Sequence, residues 1–478
     1  PWCCAVSRAD ADIPGAMRAP FLHVESLPLS AEALLALAAH DAARYPVLLD
    51  SAAEGYLSRV SLLAALPRGR MWLDSSGRMH SEGDLPAIRE GGFLAALDAL
   101  WRRESQVAVD AHTNLPFRGG WFVYLGYELA REIEPTLEPF WPAKSREDQR
   151  PVAYAMRVPA ALALDELGQG LLVCEESVTE AERAQIREDV RRAMAQPGAA
   201  GGSSQLVATE EEPDAYLSRV RRAQDHIRAG DIYQANLSRH WRTRVEDGFD
   251  AASLYRRLRL SNPAPFAAFA QSGDFSILSS SPERLLRIRG RRVDTRPIAG
   301  THPRGATSAE DNALKEALVA HPKERAEHVM LIDLARNDLG RVCEGGSVRV
   351  DEYMAVETYA HVHHIVSNVT GELRADVSPV DALRAVFPGG TITGVPKVRC
   401  MQIIAELERE PRGPYTGSLG YLNHDGSGDF NILIRTMSLM GRELEFRAGA
   451  GIVADSNPER ELAESRAKAR GLLLALKP

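Results

Sequence analysis

The sequence has little cysteine. Five occur in 478 residues, at Cys3, Cys4, Cys174, Cys343 and Cys400, and none belongs to a Cys-x-x-Cys pair. That pattern argues against a disulfide framework or a thiolate zinc site and suits a reducing cytoplasm. Long apolar runs are missing too, since no stretch approaches the ~20 residues of a membrane span. The opening residues PWCCAVSRADADIPGAMRAP lack a basic segment followed by an apolar one, so no secretory signal is expected. Residues 1–20 read as an N-terminal extension, with Met17 as a candidate start. Excess positive charge is also absent. Lys and Arg number 57 against 65 Asp and Glu, a net charge of -8, which argues against nucleic-acid binding but leaves room for a local basic pocket.

What is present is an ordinary globular mixture, 45% apolar and 26% charged, in a chain long enough for a large core. One break stands out. MAQPGAAGGSSQLVATEEEPDAY is rich in small and acidic residues and reads as a linker over 196–212. It separates an N-terminal region, 21–195, from a C-terminal region, 213–475. In the first, SAEALLALAAH predicts a helix capped by serine, while YPVLLDS and GGWFVYLGYEL predict strands. In the second, a helix and a strand are expected over EPDAYLSRVRRAQDHIRAGDIYQANLSRHWRTRV. SILSSSPERLLRIRGRRVDTRP reads as two strands around a turn. ALKEALVAHPKERAEHVMLIDLARNDLGRV reads as one containing a long helix. A helix–glycine loop–helix, a hairpin with a DGSG turn, a strand and a closing helix follow. Strands grouped between long helices predict an α+β fold built on mostly antiparallel sheets.

Several constellations can carry chemistry. Glu324 and Glu327 stand at i, i+3, as do Glu461 and Glu464, so each pair shares a helix face. Brought together, they would offer the hard oxygen ligands that suit Mg2+. Spacing alone is equally that of two solvated faces, and Glu464 with Lys468 has the i, i+4 spacing of a surface pair. FPGGTITGVPK, GPYTGSLGY and AGAGIVADS are glycine-rich turns able to aim amides at an anion, or plain tight turns. Arg296, Arg304, Lys397, Arg399, Arg435 and Lys468 flank them, and Arg435 follows a strand. AHVHHIVS puts His361 and His363 on one strand face and His364 on the other, as structural or acid–base groups. RPIAGTHPRG is too rich in Pro and Gly for a helix or a central strand.

PIAGT, ERAEHVMLIDLARNDLGRV, HVHHIVS, FPGGTITGVPK, GPYTGSLGY, ILIRT and AGAGIVADSNPERELAESRAKA occur in that order. This series resembles the chorismate-utilising enzymes over about residues 213 to 473. The family includes anthranilate, aminodeoxychorismate, isochorismate and salicylate synthases. The resemblance implies an α/β sandwich of two antiparallel sheets with helices outside. It implies Mg2+ as cofactor, with Glu327 and Glu464 as direct ligands and Glu324 and Glu461 acting through water. Tyr415 and Arg435 would grip the enolpyruvyl carboxylate, with Lys468 nearby. Thr391, Gly300, Thr301, Gly449 and Gly451 would line the pocket, and His364 would serve the ring chemistry.

Members that add water resemble one another in a lysine base where this chain has Gln234, so ammonia is the expected nucleophile. A separate glutamine amidotransferase subunit would supply it. GDIYQANLS, NPAPFAAF, SILSSSPERLL, FPGGTITG and GSLGY resemble the aminodeoxychorismate branch, which makes 4-amino-4-deoxychorismate on the way to para-aminobenzoate and folate. Ala299 departs from it, because that branch commonly carries a lysine there, proposed to attack C2; alanine is the anthranilate synthase residue. Ser51, Pro263 and Pro265 match the lining of a tryptophan pocket in the family, with Asp50 in place of the usual glutamate.

Overall fold

The computed structural model describes residues 22–53, 60–86, 91–105, 115–141, 150–195, 205–358 and 362–477; the side chains of Thr301, Pro303 and Lys323 also lie outside the description. The expected extension 1–20 and the first part of the linker, 196–204, therefore fall outside the described residues. The remainder forms a sandwich. One sheet has twelve strands and the other eleven. Every strand pairing among the described residues is antiparallel. No described helix is long and apolar enough to cross a membrane.

Period-two patterning produces the layers. On the strands Phe266–Ser272 and Phe275–Ser281, Phe269 and Leu278 face a helix layer. Their neighbours Ala268, Ala270 and Ile277 face the opposite sheet, where they meet Phe122, Tyr124, Tyr154 and Leu419. The helices Ala31–His40, Glu180–Ala195, Ala251–Ser261 and Pro458–Ala475 cover the first sheet. Phe93–Glu104, Pro322–Gly340 and Pro379–Val386 cover the second. Both sheets draw strands from either side of residues 196–212. Val47–Asp50 pairs with Phe266–Ser272 in the first, and Gly120–Leu125 pairs with Ser418–Asn423 in the second.

One sequence expectation changes, and another is met with an added neighbour. The segment read as two strands forms three: Phe275–Ser281 in the first sheet, then Arg284–Arg289 and Arg292–Thr295 in the second. Pro282 carries no N–H for a ladder, and the chain changes sheets there. The expected long helix is Pro322–Gly340, and a second helix, Ser308–Ala320, precedes it. Pro322 cannot extend the first helix but suits the opening position of the second. RPIAGTHPRG supplies the strand Ile298–Pro303 at the edge of the second sheet, with a register shift between Ala299 and Thr301.

A buried ion pair ties the helix Lys397–Glu408 to the first sheet. Arg412 donates to Glu408 at 2.7 Å, and Glu408 accepts the Ser238 N–H at 2.8 Å. Both side chains are almost wholly buried, and the guanidinium contacts hold the Glu408 carboxyl down at about 2 despite burial. Replacing Glu408 by Gln strands the Arg412 charge, so urea unfolding should register a loss of about 3–5 kcal/mol.

Candidate active site

A cavity of about 850 Å³ opens where the edges of the two sheets meet two helices. The strand Gln234–Arg244 supplies Gln234 and Asn236, two residues apart and therefore on one face. Gly451 comes from the neighbouring strand Glu443–Ile452, opposite Asn236. The second sheet supplies Ala299 and Gly300 from Ile298–Pro303 and His364 from Val362–Glu372. Glu324 and Glu327 project from the helix Pro322–Gly340, and Glu461, Glu464 and Lys468 from Pro458–Ala475. Thr391 and Arg435 also line it, as do Pro263 and Pro265, which were expected in a tryptophan pocket instead.

Thus both glutamate pairs reach one cavity, although their spacing was equally that of surface helix faces. The surface-type pair exists as well, with Lys468 Nζ 2.7 Å from Glu464. Among the described residues, no three His, Cys, Asp or Glu side chains already stand close enough to hold a metal. The donor set is nevertheless all oxygen, which fits Mg2+, an ion that keeps several waters and takes few protein ligands.

The edge strand shapes its side of the cavity through glycine. Gly300 has φ +61°, and an added Cβ would lie 2.9 Å from Glu324 Oε2. Its carbonyl accepts His364 Nδ1–H at 3.2 Å, which assigns the proton of the neutral ring to Nδ1 and leaves Nε2 unprotonated. Burial, reinforced by Arg435, pushes His364 down to about 3, so the imidazole is neutral at physiological pH. Arg435 itself has φ +51°, an uncommon conformation for a residue with a Cβ. His363, on the other strand face, is fully buried between Asp311 at 2.8 Å and Thr358 at 2.9 Å and serves the structure. His361 lies outside the described residues.

Other expected residues stand apart. Tyr415 is buried and does not line the cavity; its hydroxyl donates to Asn236 Oδ1 at 3.4 Å. Gly449 also lies off the cavity, packed against the Leu237 carbonyl. Thr301 pairs with His364 in register, and its side chain is outside the described residues. Ser51 lines a second cavity of about 560 Å³ between the sheets, which Pro265 shares and Pro263 does not. Asp50 beside it is already engaged by Ser61, Tyr255 and Arg259.

Two groups escaped the sequence reading. Glu283 is buried and accepts the Thr391 hydroxyl at 2.7 Å. Burial lifts it to about 7, against the opposing pull of Thr391, the Ile298 N–H, Arg435 and Lys468. A lone glutamate after Ser-Pro has no periodicity to mark it. Asn236 could have been found from its i+2 relation to Gln234. Gln234 is itself buried, and its Oε1 has no hydrogen-bond partner among the described residues.

Carboxylates, cations and a neutral imidazole around one cavity make an enzyme site for a small anionic molecule. The chain belongs to the chorismate binding enzyme family, whose profile matches residues 58–474. It is 41% identical to anthranilate synthase component 1 of Thermus thermophilus, covering 90% of this chain and 91% of that protein. It is 38% identical to aminodeoxychorismate synthase component 1 of Bacillus subtilis, covering 91% and 92%. The crystal structure of anthranilate synthase component I from Streptococcus pneumoniae matches with TM-score 0.75 and 32% identity, over 88% of this chain and 93% of that one.

An added Cβ at Gly451 would stand 2.3 Å from Gln234 Nε2. Gly451→Ala should therefore displace that amide and cut chorismate consumption by about 100-fold, the scale of a ~1 Å misplacement, with little change in melting temperature. Glu283 gives a pH signature. Its folded value, near 7, exceeds its ordinary 4.5, so its contribution to stability is present below 4.5 and lost as pH rises through 7. Glu283→Gln should flatten that decline, read as melting temperature against pH.

Proposed function

We propose that this chain adds ammonia to chorismate at C4, yielding 4-amino-4-deoxychorismate, as component I of an aminodeoxychorismate synthase. The observation that carries amination is the cavity-facing Gln234, whose neutral amide cannot take a proton from water as a lysine can. The choice of C4 rests on the segments that resemble the aminodeoxychorismate branch. They furnish Gln234 and Asn236, Pro263 and Pro265, and Thr391 of the cavity wall, together with Glu283 behind it.

In this reading a C–N bond forms, the C4–O bond breaks, and the hydroxyl leaves as water. The nitrogen must lose a proton and the leaving oxygen must gain one. The first passes to solvent or a second ammonia, and His364, being neutral, sets no charge against the incoming nucleophile. Glu283, titrating near 7, is protonated in part at neutral pH and can feed the second through the Thr391 hydroxyl. Arg435 holds a substrate carboxylate. Glu324, Glu327, Glu461 and Glu464 are the residues that would hold Mg2+, which when bound neutralises the ring carboxylate and draws charge from the ring. Ammonia would come from a glutamine amidotransferase subunit, a reading supported by relatives named as component 1. An amino-acid effector such as tryptophan would enter the second cavity, beside Ser51 and Pro265.

Ala299 on the cavity wall favours a second reading, amination at C2 with loss of pyruvate, the anthranilate synthase outcome. Incubation with chorismate, magnesium chloride and ammonium at alkaline pH, followed by mass spectrometry, separates them. The expected product retains the enolpyruvyl group; anthranilate with free pyruvate would establish the second reading instead. Glu327→Gln and Glu464→Gln should each abolish turnover, and activity that survived both changes would remove the metal assignment.

A further inference from the structure

A much smaller cavity, of about 30 Å³, lies next to the large one. Glu283 lines the small cavity and not the large one. Thr391 lines both, and its hydroxyl donates to Glu283 Oε1 at 2.7 Å. Asp338, from the helix Pro322–Gly340, lines the small cavity as well. Lys397, which opens the helix Lys397–Glu408, donates to Asp338 Oδ2 at 2.6 Å. That pair is not sealed off, since 11% of the Lys397 side chain remains exposed and open to exchange with solvent. A volume of 30 Å³ exceeds the ~10–15 Å³ that one water needs, and two carboxyl side chains with a threonine hydroxyl are the polar partners that hold one.

The charges around this path are accounted for. Arg284, also on the small cavity, is forked to Asp429 at 2.8 and 3.0 Å. Arg435 and Lys468, which line the large cavity, act on Glu283, while Lys397 and Arg341 act on Asp338. Burial pushes both carboxyls up against the pull of these cations.

We infer that water in the small cavity connects Glu283 to the Asp338–Lys397 pair, and that this connection returns to Glu283 the proton it loses at each turnover. The inference rests on the reading of Glu283 as the acid that acts through Thr391. In that step Glu283 gives its proton to the threonine oxygen, and the threonine proton goes to the departing oxygen. Glu283 is left a carboxylate behind an occupied cavity. The water then gives Glu283 a proton and takes one from Asp338, which takes one from the Lys397 ammonium, which regains one from solvent. Only O–H and N–H bonds change along the path. One proton enters from solvent for each one the new C–N nitrogen releases.

Two variants interrupt the path differently. Ala335 lines the small cavity, and Ala335→Val fills it without touching a charge. Asp338→Asn keeps an acceptor for Lys397 but carries no titrating proton. Each is compared with the wild-type chain by rapid quench near neutral pH, with chorismate, magnesium chloride and ammonium chloride in excess. The first turnover uses the proton already on Glu283, so a burst of no more than one product per chain should form at the wild-type rate. Later turnovers should slow at least about 10-fold, inside the roughly 100- to 10,000-fold that a general acid contributes. Either variant, once its thermal transition shows it folded, decides alone. Wild-type steady-state turnover overturns the inference, because Glu283 is then refilled by another route. So does an equal slowing of the first and later turnovers, which would make the small cavity and its ion pair supports of the site's shape only. A folded wild-type chain that forms no amino product from chorismate overturns the functional reading beneath, a result distinct from both.

Discussion

The arrangement turns on the chain crossing between the two sheets twice, side by side. The first crossing runs from Ser281 to Arg284, between strands of different sheets. The second runs from Asn431 to Thr436 in the opposite sense. They are stitched together: Ser281 Oγ donates to the Ile432 carbonyl, the Ile432 N–H donates to the Glu283 carbonyl at 3.0 Å, and the Ser280 N–H donates to the Arg435 carbonyl at 3.1 Å. Backbone that leaves one ladder before entering another has unpaired groups, and here each crossing satisfies the other. The side chains at the crossings, Glu283 and Arg435, therefore occupy fixed positions beside the cavity. The positive φ of Arg435 is strain that this fastening holds in place.

That geometry explains what could be read in advance. Layers followed from period-two strands and amphipathic helices, which are local signals. Both glutamate pairs and their helices were legible because i, i+3 spacing is a property of the helix alone. Their convergence was not, since it depends on two pairs 137 residues apart (Glu324 and Glu461) meeting one cavity, and a solvated face has the same spacing. The family resemblance, not the spacing, put them together. The sheet change at Pro282 was missed because a proline between two apolar runs reads as a turn within one sheet. Glu283 was missed with it: its raised proton affinity arises from burial at a crossing, which no short-range pattern encodes. Tyr415 marks a different limit: its motif is legible in the sequence, yet the residue does not line the cavity and its hydroxyl meets Asn236 Oδ1 at 3.4 Å.

Electrostatically the cavity is divided. Carboxylates enter from two helices, while Arg435 stands at a crossing and lies close enough to His364 and Glu283 to depress the proton affinity of both. Burial opposes Arg435 at Glu283 and reinforces it at His364. One environment thus keeps an imidazole unprotonated and a carboxyl partly protonated near neutral pH. The site thus holds an uncharged imidazole beside a carboxyl that can give up a proton near neutral pH.

Ala299 acquires its meaning from this division. It lies on the cavity wall beside Gly300, at the register shift of an edge strand, in a position from which a longer side chain would enter the cavity space. An alanine there has no lone pair to bond to a ring carbon, so any amination must use ammonia directly or a nucleophile from elsewhere. It also brings no cation to the middle of the wall. With a lysine at that position, a third ammonium or guanidinium group would join Arg435 and Lys468 around His364 and Glu283, lowering the proton affinity of Glu283 further and weakening it as an acid. On the proposed reading the alanine and the partly protonated glutamate are therefore consistent with one another, since a site without a lysine there retains a carboxyl able to give up a proton near neutral pH.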